Sequence, residues 1–251
     1  MSSRIIAFFN QSGGVGKSTL TMNLGYHLAE MGHRVLLVDM DPQASLTVFM
    51  GLDPSELEET IYNAITQSTP LPVHPEIHQM DLAPANIHLC GAEMELVTAD
   101  MRDVRLKDVL ESLSSNYDFI LIDCPPSLGI LSYISLVAAS HILIPIQTEY
   151  KALKGTELLL DTIARVKRRA NRMVKIAGFV PTMHYGQTRQ GVASLEAICD
   201  QLSPIAPICQ AIPRATDFAN ASQQHQPLAV YKPNHPAITV MTEIARHLEK
   251  L

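Results

Sequence analysis

The strongest chemical signal in this 251-residue chain is a cluster of five residues, Gly13, Gly14, Gly16, Lys17 and Ser18, within FFNQSGGVGKSTL (8–20). Glycines let the backbone N–H groups of 13–16, Val15 included, converge on phosphate oxygens. A helix starting at the next residue adds partial positive charge. Lys17 can then reach the β- and γ-phosphates, and the Ser18 hydroxyl can ligate Mg²⁺. The general pattern G-x-x-x-x-G-K-[ST] fails at its first glycine, which here is Gln11.

Two other stretches supply carboxylates. YDFILIDCPPS (117–127) is an apolar strand ending in Asp123, the arrangement that holds Mg²⁺ beside a phosphate loop. VLLVDMDPQAS (35–45) ends another strand in Asp39 and Asp41. Their period-two spacing projects both side chains one way if the extended conformation continues. Asp39 is then a further metal candidate with Ser18 and Asp123, and Asp41 can orient an attacking water toward the γ-phosphate. The alternative for this pair is a turn-forming role ahead of Pro42.

The elements that must position these residues follow from apolar runs. Strands are expected at 4–10, 34–39, 119–123, 141–147 and 176–183, each an unbroken apolar run suited to a sheet covered on both faces. Helices are expected at 17–31, 55–66, 92–114, 128–139, 151–171, 188–202 and 237–250, the first stopped by Gly32. Alternating strands and helices predict an α/β fold: an open, doubly wound, mostly parallel sheet with ligands at the strands' C-terminal ends. The Pro-rich 69–86 segment reads as a surface excursion, so 1–251 is expected to be a single nucleotide-binding domain.

Composition narrows the class. With 47% hydrophobic residues the chain can bury a substantial core. A net charge of −6 gives no global attraction to nucleic acid or acidic membranes, so any such binding needs a local patch. Four scattered cysteines without a C-x-x-C pair suit a reducing compartment. No run approaches the length of a spanning helix, and no secretory signal precedes the loop, so a cytoplasmic protein is expected.

NQSGGVGKST, LLVDMDPQ, PANIHLCGAEMEL, YDFILIDCPPSLG, PIQTEYKALKG and AIPR together resemble the ParA/MinD family of deviant-Walker ATPases over nearly the whole chain. The resemblance implies that Lys17, Ser18 and Thr19 bind phosphates and Mg²⁺, that Asp41 positions the hydrolytic water, and that Asp123 serves the metal. It also implies that Met183 and Pro213 flank adenine. Members form ATP-sandwich homodimers, hydrolyse ATP slowly with stimulation by a partner, and position cargo on the nucleoid or the membrane.

The chain departs from that family at Ser12, where a lysine normally reaches the partner's phosphates. The replacement charge is expected from QTEYKALKG (147–155), where Lys151 stands for an aromatic residue and Lys154 for an acid. Serine in the loop with lysine at 151 resembles one branch, the McdA ATPases that space carboxysomes along the nucleoid through an adaptor protein.

For the track, RVKRRANRMVK (165–175) carries Arg165, Lys167, Arg168, Arg169, Arg172 and Lys175 with no acid. That is an electrostatic footprint for nonspecific DNA, or else cations favoured at a helix C-terminus. Asp217 stands where many relatives have a basic residue. No helix-turn-helix precedes the loop and no membrane helix follows the last apolar stripe, so DNA and not membrane is the expected track. Two rival classes are a small-molecule-activating enzyme and a nucleotide-gated interaction protein without useful hydrolysis.

Overall fold

A computed structural model describes residues 3–251, with backbone alone for 150–154. Along the chain run β1 (Arg4–Phe8), α1 (Lys17–Glu30), β2 (Val35–Asp39), α2 (Ser45–Phe49), α3 (Ile61–Gln67), β3 (His74–Ile77), β4 (Met80–Ala83) and α4 (Leu89–Thr98). There follow α5 (Arg105–Leu113), β5 (Phe119–Asp123), α6 (Ile130–Ala138), β6 (His141–Gln147), α7 (Tyr150–Arg169) and β7 (Lys175–Thr182). The remainder is helical: α8 (Arg189–Leu202), α9 (Asp217–Gln223), α10 (Leu228–Tyr231) and α11 (Ala237–Glu249).

The strands form one seven-stranded sheet in the order β3-β4-β2-β5-β1-β6-β7, parallel except for the β3–β4 pair. Strand β1 shows why both faces are covered. Ile5 and Ala7 point into a core shared with α3 to α8, while Ile6 and Phe8 point into a second core under α1 and α11. Alternate side chains of one strand thus serve opposite layers, as the doubly wound expectation requires. Helix α1 lies close on its face because position 25 is glycine: a Cβ there would meet Leu37 Cδ2 at 2.7 Å and Met80 Sδ at 2.8 Å.

The sheet order brings the C-terminal ends of β1, β2 and β5 together. Phe8 pairs with Asp123, and Asp123 pairs with Asp39, so the loop after β1 and both strand-ending acids share one edge.

Three expectations need correction. The 69–86 segment is not an excursion: β4 pairs in parallel with β2, and Met80 and Leu82 are buried. Prolines around a four-residue strand hid it, and Pro75 is accommodated because β3 is an edge strand. The helix expected over 92–114 is two helices, broken where Met101 takes a left-handed φ of 53°. The helix expected at 55–66 forms only from Ile61, capped by Thr60 and preceded by the separate short α2.

Candidate functional site

The loop between β1 and α1 is built as its glycines require. Gly14 and Gly16 have φ of 72° and 93°, a region that side chains rarely enter. Asn10 staples the loop's start, donating through Nδ2 to Pro145 O at 2.7 Å and accepting from Ser12 N at 2.9 Å. Thr182 Oγ1 donates to Val15 O at 2.9 Å, so strands β6 and β7 both hold the loop. Ser12, Gly13 and Gly14 are exposed on its outer lip.

Lys17 is buried beneath the loop, and its Nζ donates to Asn10 O and Ser12 O, each at 3.0 Å. Burial lowers its pKa, and the charges of Asp123, Cys124 and Asp41 act against that shift. Ser18 and Thr19 follow in the first turn of α1, half-buried beside it.

Asp123 is fully buried, and among the described residues neither of its oxygens has a hydrogen-bond partner. Burial, and then the neighbouring Asp39 charge, push its pKa well above the usual carboxylate range, with Ser18 and Lys17 acting the other way. A buried, unpartnered carboxylate is costly, and a cation adjacent to it would relieve that cost.

Asp39 is placed differently. The extended conformation ends with β2, because Asp39 Oδ1 accepts from Asp41 N at 3.0 Å and turns the chain. Its Oδ2 accepts from Thr47 N at 2.9 Å and Thr47 Oγ1 at 2.8 Å. Burial raises its pKa to about 6 despite those bonds. Asp39 is thus tied into the β2–α2 turn by three hydrogen bonds. Asp41 sits one step out, accepting from Gln43 N at 2.9 Å, its pKa raised by burial and opposed by that bond and Lys17.

Beside the loop opens a cavity of about 630 Å³, lined by Thr19, Met183, Pro213, Phe218, Phe49 and Met241 among others. Met183 and Pro213 come together because the chain after β7 bridges 211–214: His184 N donates to Ile212 O at 2.9 Å and Arg214 N to His184 O at 3.1 Å. The lining is mostly apolar and includes no acid among the described residues, which suits a flat heterocycle.

Lys151 and Lys154 lie outside the described side chains. Helix α7 that bears them abuts the loop, since Gln11 Nε2 donates to Gly155 O at 2.9 Å. Arg168, Arg169, Arg172 and Lys175 are exposed, as are Arg165 and Lys167, at the far end of α7 and the start of β7. The loop meets α7 at Gly155, and the 14 residues from there to Arg169 span about 21 Å, so the basic tract lies about four turns along the same helix. Asp217 is engaged by Lys232 Nζ at 3.0 Å and His235 Nε2 at 3.4 Å. Thr47 and Thr182, which hold the site together, carried no signal of their own in the sequence; Gln11 was marked there only as a departure from the loop pattern, and its side chain goes to α7.

Fold and site together define a P-loop nucleotide-binding protein of the open-sheet class. A family model described as an AAA domain (AAA_31) matches residues 3–176. The sporulation initiation inhibitor protein Soj of Bacillus subtilis is 37% identical over 248 residues, covering 98% of each chain. The chain belongs to the ParA/MinD family of ATPases. Among solved structures, cobyrinic acid a,c-diamide synthase from Mycobacterium smegmatis with bound ATP analogue and magnesium aligns at TM-score 0.87 and 32% identity, covering 99% of this chain and 95% of that one. Apo McdA from Cyanothece aligns at TM-score 0.87 and 25% identity, covering 98% and 99%. No helix among the described residues is long and apolar enough to cross a membrane.

Proposed function

We propose that the chain, acting as one domain, is an ATP-gated positioning ATPase. It binds ATP and Mg²⁺, pairs with a second copy across the nucleotides, and holds nonspecific DNA of the nucleoid as its track. The observation that carries this is Asp123, buried with both oxygens unpartnered beside Lys17 at the floor of the phosphate loop. In this arrangement Gly13 to Gly16, Lys17, Ser18 and Thr19 hold phosphates, and Ser18 and Asp123 serve Mg²⁺. Asp39 stands behind them, steadied by Thr47. Asp41 orients water for slow hydrolysis, and Met183 and Pro213 flank adenine.

Lys151 supplies in trans the charge that Ser12 lacks. In support, Gly155, four residues after Lys151, has its carbonyl against the loop residue Gln11. Arg168, Arg169, Arg172 and Lys175 form the DNA-facing patch. The Ser12–Lys151 pairing and the McdA likeness favour a carboxysome as cargo, reached through an adaptor that stimulates hydrolysis. The alternative cargo is a chromosome or plasmid locus; in its support, a chromosome-partitioning ATPase Soj from Treponema pallidum is 42% identical over 195 residues. A small-molecule-activating enzyme would want a carboxylate-lined acceptor pocket, and the cavity beside the loop has no acid in its described lining.

The test is a mixing experiment. Lys151→Ala should impair ATP-dependent dimerisation, read by light scattering, and turnover, with monomer affinity for ATP unchanged. Mixed with Lys17→Ala subunits, it should recover part of its turnover, because the competent nucleotide then receives its lysine from the partner. Full dimerisation and turnover by Lys151→Ala alone would refute the trans role.

A further inference from the structure

Gln11 stands where the general phosphate loop has glycine, and a glycine could not reach where its side chain goes. Its Nε2 donates to Gly155 O in α7 at 2.9 Å, a contact bridging 144 positions of sequence. That carbonyl accepts only, so the amide's orientation is fixed by chemistry. Among the described residues Gln11 Oε1 is buried without a partner, and no other hydrogen bond of this side chain is seen. A Cβ on residue 155 would lie 3.2 Å from Gln11 Nε2, so the amide would have to give by a few tenths of an ångström.

The peptides on either side of Gln11 are held from below. Lys17 Nζ donates to Asn10 O and Ser12 O, the carbonyls bracketing it. Phosphate oxygens bound in the loop would compete for the same ammonium protons. Any redistribution of that ammonium therefore acts directly on the segment carrying Gln11. Asn10 Nδ2, bonded to Pro145 O, ties the same segment to β6, the strand that leads into α7.

Helix α7 is suited to carry a change of orientation. It is continuous for 20 residues, has no proline, and seats one stripe, Leu159, Ile163 and Val166, in the core. A helix packed along one stripe responds to a push at one end by a small rigid shift. Its other end bears Lys167, Arg168 and Arg169.

We infer that Gln11 is a positioning residue that couples the phosphate-binding Lys17 to the placement of α7, so that nucleotide binding at one end of the helix is relayed to its basic end. The inference rests on the nucleotide site proposed above, and DNA binding is not needed to test it. Coupling of this kind requires a measured response at both ends.

The experiment is hydrogen exchange of residues 155–169 in the full chain, with and without ATP and Mg²⁺. Two variants approach the contact from opposite sides. Gln11→Met keeps the side chain's length but removes its donor, and Gly155→Ala crowds the amide while leaving the loop sequence intact. In the wild type, ATP should change exchange in this helix by about fivefold or more. Both variants should bring that to less than twofold, with affinity for a fluorescent ATP analogue staying within threefold of wild type. An unaltered ATP response in Gln11→Met and Gly155→Ala would overturn the coupling, as would a wild-type helix indifferent to ATP. Loss of nucleotide binding in Gln11→Met would also overturn it, since Gln11 would then belong to the phosphate cradle. A wild type that shows the exchange response yet fails to bind DNA would leave the coupling standing and refute the track.

Discussion

Replacing Asp123 by asparagine should make the nucleotide-free protein more stable at neutral pH. Asp39 and Asp123 lie side by side across β2 and β5, both fully buried and both with raised pKa. A carboxylate whose folded pKa exceeds its unfolded value holds its stabilising contribution below the unfolded pKa and loses it as pH rises through the folded one. For Asp39, whose pKa is raised from 3.8 to about 6, that loss is about 3 kcal/mol by the usual conversion, complete by pH 7. Asp123, whose pKa burial and the Asp39 charge also raise, adds a loss in the same direction. Asp123→Asn removes one charge and the repulsion on the other, at the cost of a buried amide that must find partners. The net gain is about 2 kcal/mol at pH 7.5, roughly 4–8 °C in melting temperature for a chain of this size. Because the folded-state pKa of Asp123 is raised, the penalty shrinks as pH falls toward the unfolded carboxylate value, so the gain should be smaller at pH 4.5. Urea denaturation of both proteins at the two pH values, without nucleotide, reads the difference. A variant less stable than wild type at pH 7.5, or a gain equal at both pH values, would refute the electrostatic account of Asp123.

Other outcomes follow from the same geometry. Thr47→Val removes the hydroxyl that donates to Asp39 and accepts from Ala85 N at 2.9 Å, and should cost about 2–4 kcal/mol, more at pH 7 than at pH 4.5. Differential calorimetry at both pH values checks this. Lys17→Ala should abolish nucleotide binding in an equilibrium titration, whereas Asp41→Ala should bind ATP as wild type and show no turnover in a phosphate-release assay. Charge reversal at Arg169 and Arg172 should weaken DNA association and flatten its salt dependence by about 0.9 in log–log slope for each phosphate no longer neutralised.

What could be read from the residues was whatever local pattern determines. β1, β5 and β6 are apolar runs bounded by polar residues, and their observed limits nearly coincide with those runs. Gly32 closes α1 with φ of 91°, and Gly14 and Gly16 turn the loop, because these conformations select glycine. What stayed hidden depends on distant partners. Strand β4 is four residues between prolines and exists because β2 lies beside it. Helix α10 begins where Leu228 N meets Asn23 Oδ1 at 2.8 Å, a cap supplied from α1. In the site, the glycine spacing announces a phosphate loop. By contrast, Thr47 on Asp39, Thr182 on Val15 and Gln11 on Gly155 are pairings that only the assembled sheet creates.

The central claim is that ATP governs attachment to DNA. Its most direct test is the binding of Asp41→Ala, which holds ATP without consuming it, to a nonspecific DNA duplex at fixed salt. The measurement is made with ATP, with ADP and with no nucleotide. The account predicts association with ATP at least tenfold tighter than with ADP, independent of DNA sequence, and accompanied by dimerisation in the same samples. Equal affinity in all three conditions, or tight binding by a monomer holding ADP, would contradict it.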